Sequence, residues 1–168
     1  MAQPKIIQFI PEQNEKDFNQ LLPAYLKIWN AAENHKHLNH GKHSVDMETV
    51  SKWLHNHVSK NISYYCAVDE HDQVVGLSII QEHPVIGLRS LGIAVKPESK
   101  HQGIGSQLIE HLVGFVKQQD YTSAEVPVFA DNIRALCLLL KHGFIPARME
   151  YHKRYDGADL VYMKFVAT

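Results

Sequence analysis

The sequence predicts a single α/β domain over residues 1–168, and three observations carry that expectation. Residues 91–95, Leu-Gly-Ile-Ala-Val, read as an apolar strand that runs through a short glycine loop into an amphipathic helix. Residues 62–68 and 73–81 are rich in β-formers and flank Asp69-Glu70-His71-Asp72, a polar stretch of hairpin length. No repeat, linker or low-complexity tract divides the chain, and 168 residues suffice for one core.

Each element follows from local chemistry. Residues 5–9 form a first strand. Phe18, Leu21, Leu22, Tyr25, Leu26 and Trp29 make a helical stripe, with Pro23 starting or kinking that helix. A polar loop follows, and Met47, Val50, Trp53, Leu54 and Val58 make a second stripe. After the hairpin, Lys96-Pro97 ends the strand at 91–95, because proline cannot donate to a ladder. Ile104, Leu108, Ile109, Leu112, Val113 and Val116 then share one face of a third helix. A strand over 124–129 contains Pro127, which belongs at an edge or bulge. Asn132 caps a fourth helix and Gly143 closes it. Two last strands flank Asp156-Gly157, a hairpin turn signal.

Composition excludes several function classes. Lys plus Arg is 17 and Asp plus Glu is 18, so no global charge attracts nucleic acid or a membrane surface. No run is long and apolar enough for a bilayer span, and Met-Ala-Gln-Pro-Lys lacks a signal-peptide core. Cys66 and Cys137 are the only cysteines and lie in segments that read as buried strand and helix. A disulfide scaffold or zinc knuckle is therefore not expected, and the chain reads as cytoplasmic. His35, His37, His40 and His43 crowd the polar segment between the first two helices. Density alone does not converge ligands on a metal, so no metal is expected there.

The stretch most specific for function is Ser99-Lys100-His101-Gln102-Gly103-Ile104-Gly105-Ser106. Two glycines just before a helix let backbone amides turn outward uncovered. The helix start adds unpaired N–H groups and partial positive charge, so a phosphate is the natural guest. A dinucleotide fingerprint needs a third glycine where Leu108 stands, and a P-loop needs Gly-Lys-Ser/Thr where Gly105-Ser106-Gln107 stands. Lys100-His101-Gln102-Gly103-Ile104-Gly105 instead resembles the Q/R-x-x-G-x-G/A pyrophosphate loop of the GCN5-related N-acetyltransferases, the GNAT family. Only the first position departs, and Lys100 keeps a positive charge there. Asn132-Ile133-Arg134-Ala135-Leu136-Cys137-Leu138-Leu139-Leu140-Lys141-His142-Gly143-Phe144 resembles the same family's N-x-x-A-x-x-L-Y-x-K-x-G-F helix. Asn132, Ala135, Leu138, Lys141, Gly143 and Phe144 match it. The two motifs in this order and separation carry the resemblance, which is sharp over Leu88 to Phe144.

That resemblance implies a mixed, mostly antiparallel sheet of about seven strands, splayed between the fourth and fifth and flanked by about four helices. Acyl-CoA enters the splay in the family. It also implies direct transfer of an acetyl group from acetyl-CoA, as co-substrate, to the amine of a small molecule or peptide. Ile93, Ala94 and Val95 would bond the pantetheine arm. Amides of Gln102, Gly103, Ile104, Gly105 and Ser106 would hold the pyrophosphate, with Lys100 and His101 beside them. Asn132 would lie on the arm's far side. Dimers are common in the family.

The chain departs from the family at two catalytic positions. Arg89 stands where many members carry a glutamate base on the fourth strand, and Leu139 where many carry a tyrosine acid. Glu82, His83, Glu125 and Asp131 are candidate replacements for the base, near strand ends that face the cleft in the family. Tyr151 or Tyr155 could replace the acid. Arg89 itself suits a carboxylate on the acceptor, or pairs with a surface acid. The histidine-rich segment falls where the family binds its acceptor. An enzyme is the first reading; an acyl-CoA-binding sensor of the same fold is the alternative.

Overall fold

Among the described residues, seven strands and five α-helices follow one another: β1 (Lys5–Phe9), α1 (Glu15–Asn30), α2 (Ala32–Leu38), α3 (Met47–His55), β2 (Ile62–Val68), β3 (Val74–His83), β4 (Gly87–Val95), α4 (Ile104–Gln118), β5 (Ser123–Phe129), α5 (Ile133–Lys141), β6 (Ile145–Glu150) and β7 (Leu160–Val166). This computed structural model describes residues 3–9, 15–56 and 60–168, and side chains outside 15–20. The strands form one sheet in the order β1-β2-β3-β4-β5-β7-β6. Every neighbouring pair is antiparallel except β4 and β5, which are parallel.

The β4–β5 ladder is short. It consists of Leu88 opposite Ala124 and Arg89 opposite Glu125, after which the strands part. Pro127 lies in the parted segment, opposite Tyr162 of β7. On its β4 side there is no ladder for a missing N–H to interrupt. This is the splay that the family resemblance implies.

A bulge shapes β4 just where it leaves β5. Ile79 faces Gly92 and Ile80 faces Ser90, so Leu91 is the unmatched residue. The extra residue switches which face each later side chain meets. Leu88 packs with Ile109 and Leu112 of α4, whereas Ala94 packs with Trp29, Leu77 and Ile79 on the opposite face. A Cβ on Gly92 would come within 3.1 Å of the Trp29 ring, so α1 approaches the strand closely there. The core thus has two halves. One lies under α1 and α3 around Val50 and Trp29; the other lies under α4 and α5 around Leu112 and Phe144.

Three sequence expectations change. Strand β4 begins at Gly87 rather than 91, because polar Arg89 and Ser90 interrupt the apolar pattern without interrupting the ladder. Of the two places expected for Pro23, the interior of α1 is the one present. A fifth helix, α2, occupies part of the expected polar loop; it has no apolar stripe and is held by tertiary bonds. Asp156-Gly157 turns within a longer connection, residues 151–159, with Gly157 at φ +86°, not within a two-residue hairpin. Val58 of the second stripe lies outside the described residues.

Candidate active site

Where β4 and β5 part, a cleft of about 520 Å³ opens. Residues 90–95 of β4 and 126–129 of β5 form its walls, and parts of the 99–106 loop, of α5 and of α2 close it. Past Arg89, the edge of β4 that faces β5 carries backbone N–H and C=O groups with no strand opposite. Buried backbone groups need partners. An extended ligand bearing amides meets that need as an added strand would.

One end of the cleft is formed by an uncapped helix start. Gly103 is the N-cap of the 15-residue α4, in the left-handed region at φ +80°, and no side chain caps the helix. His101 is also left-handed at φ 64°. A Cβ on Gly103 would meet nothing within 4 Å, so the space above it is open. The first-turn amides of α4 lack intrahelical partners, and the positive end of the helix dipole lies with them. Gly105 serves a different need, since a Cβ there would lie 3.2 Å from Leu138 of α5. Lys100 lies 2.7 Å from Glu33 of α2, and Glu33 lies 3.4 Å from Arg134 of α5. The Lys100 bond is the main cause holding the Glu33 carboxyl below its usual range. Gln102 and His101 are exposed beside them. Asn132 caps α5 by accepting from the Ala135 amide at 3.2 Å, and it also lines the cleft.

The expected base candidates scatter. Glu125 is buried beside Arg89 at 3.8 Å and Arg148 at 3.5 Å, at the paired end of β4 and β5 rather than on the cleft wall. The Arg148 guanidinium stacks 3.3 Å over the Tyr162 ring. For Arg89, then, pairing with an acid is the arrangement present. Glu82 is exposed at the end of β3; burial first, and then its bond to this carboxylate, push the Tyr121 phenol up. His83 accepts the Val85 and Ile86 amides through Nδ1 at 3.2 and 3.3 Å, so its ring shapes the β3–β4 turn.

Asp131 sits among cations. Arg154 donates to both of its oxygens at 3.0 and 2.7 Å, and Lys36 lies 3.0 Å away. These bonds, Arg154's first, hold the Asp131 carboxyl far below the usual range, which makes it a very weak base. Leu139 is 2 % exposed and lines the cleft, while Tyr151 and Tyr155 are exposed and lie outside the lining.

Sequence reasoning missed α2 as a helix. Its available signal was charge placement, with Glu33 in the first turn and Lys36 and His37 in the last, which suits the helix dipole. Asn34 ties α2 to β4 by donating to the Val95 carbonyl at 3.0 Å. Arg154 donates to the Lys36 carbonyl at 3.2 Å and ties it to the β6–β7 connection. Of the four clustered histidines, His37 and His40 line the cleft. His40 bonds the Lys153 carbonyl through Nδ1 at 2.8 Å, and His35 bonds the His43 carbonyl at 2.9 Å. The Ser90 hydroxyl is buried on the cleft wall without a protein partner. Cys137 is exposed and lines the cleft, contrary to expectation, because α5 turns that face toward the opening. Cys66 is buried, which pushes its thiol up to about 12. Among the described residues, no three His, Cys, Asp or Glu side chains converge as a metal site, and no helix is long and apolar enough to cross a membrane.

Comparison with known proteins agrees with this geometry. No curated protein sequence matches the chain. Among solved structures, an N-acetyltransferase from Staphylococcus aureus superposes with a TM-score of 0.79 at 18% identity, covering 98% of this chain and 99% of that one. A ribosomal-protein-alanine N-acetyltransferase from Brucella melitensis gives 0.74 at 19% identity, covering 97% and 99%. A GNAT superfamily phosphinothricin acetyltransferase from Sinorhizobium meliloti, solved in complex with AcCoA, gives 0.76 at 14% identity, covering 98% and 89%. The profile of the Acetyltransferase (GNAT) family matches residues 20–144, which span the splayed strands, the glycine loop and the capped α5, and the chain belongs to that family.

Proposed function

We propose that residues 1–168 form one acetyl-CoA-dependent N-acetyltransferase domain that acts on the amine of a small molecule or peptide in the cytoplasm. The observation that carries this reading is the junction of two features: an unpaired β4 edge leads along a cleft to an uncapped helix N-terminus behind Gly103. Acetyl-CoA has the matching parts, an amide-bearing arm and a pyrophosphate. Ile93, Ala94 and Val95 hold the arm, and amides 102–106 hold the phosphates. Lys100 and Arg134 flank the anion end, and Glu33 of α2 pairs with both. The structural relatives act on chemically different acceptors by name, so the acceptor does not transfer from them.

The reaction needs a neutral amine. A lysine-like amine of pKa about 10.4 is charged at pH 7, and exposing its lone pair costs about 4 to 5 kcal/mol. Calorimetry with acetyl-CoA, followed by thiol release across a panel of amines, tests the reading. Micromolar binding with amine-dependent release is expected.

The second reading, a non-catalytic acyl-CoA sensor, is favoured by one observation: apolar Leu139 stands at the family's acid position. A thiolate from a thiol of pKa about 8.5 leaves readily without an acid, so transfer survives this loss. Leu139→Tyr is expected to raise kcat, by at most about 10²-fold, the low end for a general acid. Steady-state kinetics at fixed amine check it; an unchanged or lower kcat in a folded variant would show that no acid is wanted there.

A further inference from the structure

We propose that His37 is the general base of this site, with Asp131 as the residue that positions it. The inference rests on the acetyltransferase reading and deepens it. Helix α2 is held between the two sides of the cleft. Asn34 pins it to β4 through the Val95 carbonyl at 3.0 Å, and Lys36 pins it to Asp131 at 3.0 Å. His37, next in the chain, lines the cleft with its side chain 19% exposed.

The ring nitrogens are unequal. Nδ1 is buried, bonds to nothing, and lies 3.7 Å from the Asp131 carboxylate. A buried polar atom without a partner is costly. A carboxylate accepts only, so the tautomer that satisfies Nδ1 is N–H directed at Asp131, reached by a small ring movement. That tautomer puts the free lone pair on Nε2. Asp131 cannot itself serve as the base, because Arg154 and Lys36 hold it ionised. It remains a fixed negative charge that orients the imidazole and stabilises its protonated form.

The surroundings keep His37 neutral near pH 7. Burial is the largest cause lowering its pKa; Lys36 on its own helix and Arg154 on the β6–β7 connection act the same way, while Asp131 and Glu33 oppose them. Other candidates are committed elsewhere: Glu33 to Lys100 and Arg134, Glu125 to two arginines, and His83 to its turn. His37 Nε2 takes one proton from the acceptor's ammonium. The amine lone pair then forms the C–N bond to the acetyl carbon while the C–S bond breaks and its electron pair leaves on sulfur. The new amide sheds its second proton to that sulfur, and the imidazolium returns its proton to water.

His37→Gln and Asp131→Asn test the assignment, with three readouts. Nitrogen-detected NMR of the wild-type protein should show Nδ1 protonated and Nε2 bare, with a pKa below the usual value of about 6.5. The kcat/KM profile of the wild type should rise with pH through that same pKa. In His37→Gln the limb should vanish and kcat/KM fall about 10²- to 10⁴-fold, with acetyl-CoA affinity by calorimetry unchanged. In Asp131→Asn the His37 pKa should move down, since a favourable charge is lost. A protonated Nε2 with bare Nδ1 overturns the proposal whether or not the variants fold. So does a folded His37→Gln protein that keeps both rate and limb while the wild type turns over. Acetyl-CoA binding by a wild type that acetylates no amine overturns instead the reading underneath.

Discussion

Replacing Gly103 with valine is expected to weaken acetyl-CoA binding by about 10²-fold or more. Charge-assisted hydrogen bonds are worth about 1.5–3 kcal/mol each, so blocking two of the α4 amides already exceeds that factor. The free protein should tolerate the change sterically, because a Cβ at Gly103 meets nothing within 4 Å. Its cost is conformational. Gly103 has φ +80°, and an L-residue in the left-handed region loses about 1–2 kcal/mol, more when β-branched. A melting temperature lower by about 2–8 °C follows for a chain of this size. Gly103→Ala separates the effects, since it carries much of the strain and little of the bulk. Calorimetry at a temperature where all three proteins are folded decides the matter. Equal acetyl-CoA affinity in the wild type and Gly103→Val would remove the phosphate role from this loop.

Arg154→Ala is expected to lower stability by about 3 kcal/mol. The Arg154 side chain is 2% exposed, yet it joins Asp131, Asp156 and the Lys36 carbonyl, and its guanidinium lies 4.9 Å from the Phe129 ring centre. Breaking a buried pair from one side costs about 3–5 kcal/mol; the acids here are 37% and 38% exposed, so solvent compensates and the low end applies. Urea unfolding at neutral pH measures the loss. The pH dependence supplies a second check with a definite sign. Asp131 and Asp156 both have carboxyl pKa values depressed in the folded state, chiefly by bonds from Arg154. Their contribution is therefore present above the unfolded value of about 3.9 and is lost as pH falls below it. Wild-type stability should drop steeply between about pH 4 and 2, and Arg154→Ala should lose much of that slope. The same variant frees α2 from the β6–β7 connection, so the KM for the acceptor should rise more than the affinity for acetyl-CoA falls.

Local rules made half of the site legible in the sequence. Gly103 and Gly105 announce a turn into a helix because few residues tolerate those positions, and Asn132 announces a cap because its side chain answers a nearby amide. The parted strands were foreshadowed by Pro127, which sits where β5 has no β4 partner. Features set by distant pairings were not readable. Nothing in residues 88–95 demands that Leu91 be the bulged one; the register with β3 decides it. Helix α2 has weak local signals, and its anchors, the Val95 carbonyl and Arg154, lie far along the chain. Asp131 looked like a free carboxylate until Arg154, 23 residues on, was placed against it. Glu125 likewise looked available until the parallel register set it beside Arg89.

Acetyl transfer to amines in this cleft is the proposed activity. Mass spectrometry of amines incubated with purified protein and acetyl-CoA tests it most directly, using amino acids, polyamines and peptides with free N-termini. An N-acetylated product is expected from at least one of these classes, formed only when protein is present and in step with thiol release. Tight acetyl-CoA binding with no acetylated product from any amine would contradict it and leave the chain a sensor of acyl-CoA.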